Sequence, residues 1–434
     1  MPGGVPAGSR KDAVSLPEVR LLLIGRTWNQ EKLKRKGFLY WFLAVFFILV
    51  GFYLSFWLSR YDWWRRASYE AYNTVISLSP ATATHPSHTA VVLIDDDDYW
   101  LGDWARRQPL KRHMLADLLR QIHKAGARAI GLDVDLRCQK PDGSFGLHSD
   151  YIDETTCLLT AVYEIARDTP VVLGKSIGFD EKLQRFVKDA DVFDKPFQGY
   201  SFLSGYTRLP HDVRQVALNA SAAGLNVESF ASVICRVDPL SRGTAINRSG
   251  ESLPFIRSFF DEEDYKRAAA AVNARSVLSG DPSAMAALKS KIVIVGGNWH
   301  REAWGRGDRV DQHITPRGEM SGAVIHANYA EAILSEQMTK PSAEWIHLSV
   351  ELLVGISLAT IFAGAVGYWK VLYLLVLAAG VVFLSIVAWA NAGIFIDAAP
   401  PMVLLAGHAA GEKILEWKRA ADAHRICGAE AKKP

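Results

Sequence analysis

AVVLIDDDD, residues 90–98, opens the part of the chain that decides its fold. Five apolar residues followed by four carboxylates read as a strand buried on both faces whose end emerges into solvent. Behind it, Lys111–Ala125 carries Met114, Leu115, Leu118, Leu119 and Ile122 at helical spacing. RAIGLDVDL (residues 128–136) repeats the strand pattern, Tyr151–Arg167 that of a helix and Pro170–Gly174 that of a strand. Gly224–Val227 and Val233–Val237 are further strand candidates. Asp261–Leu278 reads as an alanine-rich helix, Lys291–Val295 as a strand and Ala323–Leu334 as a helix. Strands alternating with helices predict an α/β domain with a largely parallel or mixed sheet.

Outward from this domain the chain turns apolar. Phe38–Leu58 runs for 21 residues without a charge, enough to cross a hydrocarbon core of ~30 Å. Three more apolar segments follow the domain, at Trp345–Gly367, Val371–Asn391 and Ala398–Leu415. The expected plan is a cytoplasmic segment (1–37), an anchor helix (38–58), an extracytoplasmic domain (59–344), a three-helix bundle (345–415) and a cytoplasmic tail (416–434). The flanks orient it. Lys32, Lys34, Arg35 and Lys36 precede the anchor, Lys370 marks one short turn, and Lys413, Lys418 and Arg419 mark the carboxyl end. The positive-inside rule therefore puts both termini in the cytoplasm of a bacterial inner membrane and the domain outside. Ser79–His88 is a linker, and Tyr61–Leu78 a helix with Trp64, Tyr72, Val75 and Ile76 facing inward.

The net charge of +3 comes from scattered Lys and Arg residues, which argues against a nucleic-acid partner. Of four cysteines, Cys138, Cys157 and Cys235 fall on the oxidising side of this plan and Cys427 on the reducing side. A Cys138–Cys157 bridge would close a short loop worth ~3 kcal/mol in the chain-entropy model. The sequence leaves the pairing open.

Several stretches resemble the second class of CHASE domains, the cyclase- and histidine-kinase-associated sensory extracellular domains. They are Asp95–Asp98 with Leu101-Gly102 and Trp104, Gly131–Asp135, KIVIVGG (residues 291–297), Gly307-Asp308, Thr315-Pro316 with Gly318, and SGAVIHANYAEAIL (residues 321–334). The one-plus-three membrane plan is also similar, so the resemblance covers roughly residues 40–415. Where the family has a Trp-Pro-Trp-Pro-Arg run this chain has Trp104-Ala105-Arg106-Arg107-Gln108-Pro109. Members usually continue into a cytoplasmic kinase or cyclase domain. Here 19 residues follow the last span, so the resemblance implies output through another chain.

The candidate chemistry is sparse. Asp95 or Asp97 at one strand end is expected near Asp133, Asp135 and Asp308 at the same sheet edge, where a hard cation such as Ca²⁺ or Mg²⁺ would find oxygen ligands. The plain alternative is solvated turn and cap carboxylates. His313, Thr315, His326 and Asn328 either line a pocket with Asp308 or are satisfied within core and turns. In the spans, His347/Glu351 and His408/Glu412 sit one turn apart, as internally bonded pairs or as coupling groups. Gly355, Ala359, Ala363 and Gly367, with Ala406, Gly407, Ala410 and Gly411, give small-residue faces for helix packing within the bundle, with a partner or between copies.

No nucleophile elbow, phosphate-binding loop, zinc motif or dinucleotide fingerprint is present, which points away from an enzyme. The leading expectation is a membrane sensor subunit that perceives a small solute, an ion or a protein and relays it to a separate signalling or membrane-complex chain. A non-catalytic assembly subunit is the alternative.

Overall fold

The computed structural model describes residues 60–77, 85–137, 151–180, 185–188, 191–240, 254–340 and 368–396, apart from 105, 108, 217, 223, 224, 304 and 393, with isolated positions at 53, 57, 417 and between 341 and 357. Six parallel strands form the central sheet: β1 (Thr89–Ile94), β2 (Ala129–Asp133), β3 (Val171–Lys175), β4 (Leu203–Tyr206), β5 (Ala271–Asn273) and β6 (Ile292–Gly297). Their spatial order is β5-β1-β6-β2-β3-β4. Every residue of β1 is buried, as its unbroken apolar run requires of a strand covered on both faces.

Helices α2 (Arg112–Lys124), α3 (Ile152–Ile165) and α5 (Ala274–Leu278) pack together on one face. On the other, α4 (Phe230–Val237) packs with α6 (Gly322–Leu334). Two glycines set how closely α4 approaches. A Cβ at Gly131 would fall 2.7 Å from the Phe230 ring, and one at Gly205 would fall 2.5 Å from the Phe230 backbone. The predicted strands and helices at residues 90, 111, 128, 151, 170, 291 and 323 all form within a few residues of their expected bounds, and Leu225–Glu228 is a strand of a small hairpin.

Two expectations are corrected. Val233–Val237 is helical, within α4, because Ser229 caps it: its hydroxyl accepts the Ser232 amide at 3.2 Å. The alanine-rich Asp261–Leu278 is broken. A reciprocal cap between Asp261 and Asp264 starts a short helix at Glu262–Arg267, Ala269 takes φ 50°, and β5 then pairs with Val91–Leu93 of β1. Sheet pairing and the cap at Asn273 outweigh alanine's small per-residue preference for helix.

Outside the sheet, α1 (Asp62–Ser77) lies against the domain, burying Trp64, Tyr69, Tyr72 and Val75. The described chain ends in α7 (Tyr368–Ala392), whose segment Leu372–Trp389 is 18 residues long, has mean hydropathy 2.5 and is only 17% buried. It is long and apolar enough to cross a bilayer, and its exposed faces distinguish it from a core helix. Only this span is found among the described residues. Most of the other three predicted spans, with His347, Glu351, His408, Glu412, Gly355, Ala359, Ala363, Gly367, Gly407 and Gly411, lies outside them.

Candidate functional site

The carboxyl edge of the sheet carries a cleft of about 680 Å³, within the usual range for small-ligand sites. Its floor comes from the end of β2 (Asp133), from Gly174 of β3 and Gly297 of β6, and from the first turns of α6 (Gly322 and His326). Its wall is the segment from Thr207 to Val213 together with Trp299, Val310 and Ile314, and Arg65 of α1 reaches it from the side.

Helix α6 explains why His326 stands out. It is buried almost all round, so each of its polar side chains needs a partner inside the fold. Asn328 has three: its Oδ1 accepts the Phe260 amide at 2.7 Å, and its Nδ2 donates to the carbonyls of Phe260 and Val324, both at 2.9 Å. Glu331 accepts from Ser87, His88 and Thr89, binding the start of β1 to α6. His326 has one: Nε2 donates to the Thr207 carbonyl at 3.1 Å, which leaves Nδ1 as an acceptor without a hydrogen bond.

Across from it, 3.9 Å from Nε2, lies Oδ2 of Asp133, also without a hydrogen bond. The Asp133 side chain is 10% exposed. Burial, with the nearby Asp311 carboxylate adding to it, pushes this carboxyl well above the usual range. Burial likewise lowers His326 to about 4, against the opposing pull of Asp311 and the Thr207 hydrogen bond. Acid and imidazole both favour their neutral forms.

Asp311 closes the arrangement. Its backbone carbonyl accepts the Gly322 amide at 2.9 Å, its Oδ1 meets His313 Nε2 at 2.9 Å, and a Cβ at Gly322 would fall 2.0 Å from its Oδ2. A larger residue there would push that carboxylate aside.

The predicted residues fall into separate groups. Asp133, Asp135, His313 and His326 share the cleft. Asp135 is held by several hydrogen bonds from Arg137, including one at 2.6 Å from Nη2; although burial opposes it, these bonds keep its carboxyl below the usual range. Asp95 lines a different cleft, with Glu262, Lys266 and Asn298, and exchanges hydrogen bonds with Asp98. Asp98 caps α5 through the Ala274 and Arg275 amides at 3.2 and 3.0 Å, and Asp96 binds the amide and Nδ1 of His300. Asp97 and Asp308 are exposed. Thr315 donates to the Gly318 carbonyl at 2.7 Å and accepts the Arg317 amide, shaping the turn after His313. Among the described residues no three His, Cys, Asp or Glu side chains converge as a metal site. Cys157 has a free thiol, and Cys138 lies outside the described residues.

Asp311, Arg65, Thr207 and Trp299 were not anticipated. Asp311 lies three residues past the aspartate singled out from the sequence, and the glycine opening α6 is the mark of its close approach.

A parallel sheet with a polar cleft at its carboxyl edge, attached to a long apolar helix, places this chain among α/β domains joined to membrane-type segments. The CHASE2 domain model matches residues 42–366, and the chain belongs to that family. CHASE2 domains are extracytoplasmic sensory domains, and residues 59–344 fall within the match. No curated protein and no solved structure matches the chain.

Proposed function

We propose that this chain is a multi-pass inner-membrane sensor subunit, without catalytic activity of its own, whose cleft takes up a small extracytoplasmic solute and whose helices pass the event to a separate partner chain. One observation carries this reading: α1 touches both ends of the path. At Arg65 it lines the cleft. Two turns later Tyr72 packs edge-on against Trp389 of α7, with ring centroids 6.1 Å apart. Between them, Arg214 follows directly on the cleft wall. Its guanidinium lies over Tyr69, Tyr72 and Phe255 at 5.1, 5.5 and 5.7 Å and pairs with Asp212 at 2.8 Å. A solute that prefers one placement of the wall shifts α1 by its difference in affinity for the two placements.

The end of α7 supports the orientation. Ile394–Phe395 pairs with Lys340–Pro341 at the base of the domain, so that turn lies on the domain's side. The exposed Leu372, Leu375, Val376 and Phe383 of α7 offer apolar surface to lipid, to neighbouring spans or to the partner.

The test is gentle purification of the full chain from its native membrane beside a version ending at Trp417. A stoichiometric signalling protein lost on truncation supports the relay. A membrane complex retained by both, whose abundance depends on this chain in the absence of any solute response, refutes it in favour of an assembly subunit.

A further inference from the structure

Most polar side chains around the cleft are accounted for by partners within the fold. Four cleft-lining residues keep a buried polar atom without one: Oδ2 of Asp133, Nδ1 of His326, Nε1 of Trp299 and Nε of Arg65. The first two accept hydrogen bonds and the last two donate them. The Asp133, His326 and Trp299 residues are themselves about nine-tenths or more buried, so bulk water reaches none of them freely. A buried polar group left unpaired costs about 1–3 kcal/mol, and four around one cavity mark a place where a ligand supplies the missing partners.

The charges around the cleft are also sorted. On the α6 side, Asp133 and Asp311 face each other's field. The His326 ring stands 3.9 Å from Asp133 in its neutral form, and Asp311 already holds the His313 imidazole. Arg65 also lines the cleft, and its pairing with Asp62 uses a terminal nitrogen and leaves Nε without a hydrogen bond. Arg208 and His211 line the same wall as exposed residues. Asp135 and Arg137 neutralise each other. The cleft thus carries carboxyls from the end of β2 and from Asp311, basic side chains from α1 and residues 208–211, and apolar surface from Leu110, Val134, Val213 and Ile314.

A neutral sugar would satisfy the hydrogen bonds but bring neither a cation to draw the buried Asp133 carboxyl into its charged form nor an anion to the Arg65 guanidinium. A divalent cation would answer only the carboxyls, and no three ligands converge there among the described residues. We propose that the cleft binds a zwitterionic amino-carboxylate of the amino-acid kind, its ammonium donating to Asp133 and His326 and its carboxylate accepting from Arg65 and Trp299. This rests on the sensor reading and names the class of solute that the sensor takes.

The experiment is isothermal titration of the full chain in lipid nanodiscs. The panel comprises α-, β- and γ-amino acids, the matched amines and the matched carboxylates, with glucose and Ca²⁺ as probes of the other chemistries. The expected result is saturable binding of at least one amino acid, with its amine and its carboxylate analogue each at least 10-fold weaker. Asp133→Asn should weaken the amino acid at least 10-fold while leaving any carboxylate-only binding unchanged. Arg65→Gln should weaken it severalfold and erase the advantage over the amine, with urea unfolding matched to wild type as the control for folding.

Absence of binding by every amino acid overturns the inference, as does an amine or carboxylate that matches the amino acid, or less than twofold change in Asp133→Asn. Glucose or Ca²⁺ binding lost in Asp133→Asn would overturn the zwitterion while leaving the sensor reading intact. Failure of the sensor reading shows separately, in the purification experiment, through the complex retained on truncation.

Discussion

Replacing His326 with glutamine isolates one half of a buried, opposed titration. The imidazole is fully enclosed and its pKa is lowered from 6.5 to about 4 by burial. Between those values the unfolded chain binds a proton that the folded chain refuses. Stability supplied by the neutral imidazole is complete above pH 6.5 and is lost as the pH falls toward 4. At 1.36 kcal/mol for each tenfold change in proton affinity, the loss by pH 4.5 is about 2–3 kcal/mol. Asp133 runs the other way. Its raised carboxyl takes up a proton in the folded state before the unfolded chain does, so falling pH favours the fold through this residue and masks part of the histidine's effect.

Glutamine keeps a donor for the Thr207 carbonyl and removes the titration. Urea unfolding of the detergent-solubilised chain, followed by tryptophan fluorescence at pH 7 and pH 4.5, measures the difference. Wild type should lose about 2–3 kcal/mol more than His326→Gln over that interval. Equal pH dependence in the two proteins, or a steeper loss in the variant, would refute a histidine buried in its neutral form.

Glu331→Gln should cost about 4 kcal/mol, because the new amide nitrogen faces two backbone donors from His88 and Thr89 or their neighbour at Ser87, and each orphaned donor costs ~1–3 kcal/mol; denaturant unfolding checks it. Gly205→Ala puts a methyl group 2.5 Å from the Phe230 backbone and should cost about 3 kcal/mol through overpacking, read by the same assay, whereas Gly199→Ala, with open space around it, should lose only about 1–2 kcal/mol through its positive φ. Arg214→Lys removes the planar fork that stacks on two tyrosines while pairing with Asp212. Amides of α1 near Ser68 should then exchange about tenfold faster in hydrogen-exchange mass spectrometry, and unchanged exchange would count against the clamp.

How much of this was legible in the sequence depends on the length scale of the signal. β1, β6 and α6 read correctly because an unbroken apolar run flanked by turns has few alternatives within an α/β alternation. Val233–Val237 was ambiguous, since a short apolar run fits strand and helix alike, and Ser229, four residues upstream, decided it. The break within Asp261–Leu278 came from pairing with a strand about 180 residues earlier, which no local pattern encodes. The cleft was half visible. Asp133 and His326 were singled out from a strand end and a helix, but Asp308 stood in for Asp311, and Arg65 was invisible because only tertiary packing brings α1 to the sheet edge. The four aspartates at 95–98, the strongest local signal, are split by the fold among a cap, a histidine contact, a second cleft and solvent.

The strand order has a consequence for how the protein is made. β1 is the first strand to emerge from the membrane, yet its neighbours on both sides are β5 and β6, with Thr89 paired to Ile292. About 180 residues must follow it before the first edge of this apolar strand is covered. Until then TAVVLI, which is wholly buried in the finished domain, has no sheet to join, and contacts of such long sequence separation form slowly. A strand left unpaired for that long is an aggregation hazard during export. Mutations that slow closure at residues 271–297 would lower the yield of protein in the membrane before they lower the stability of what is assembled.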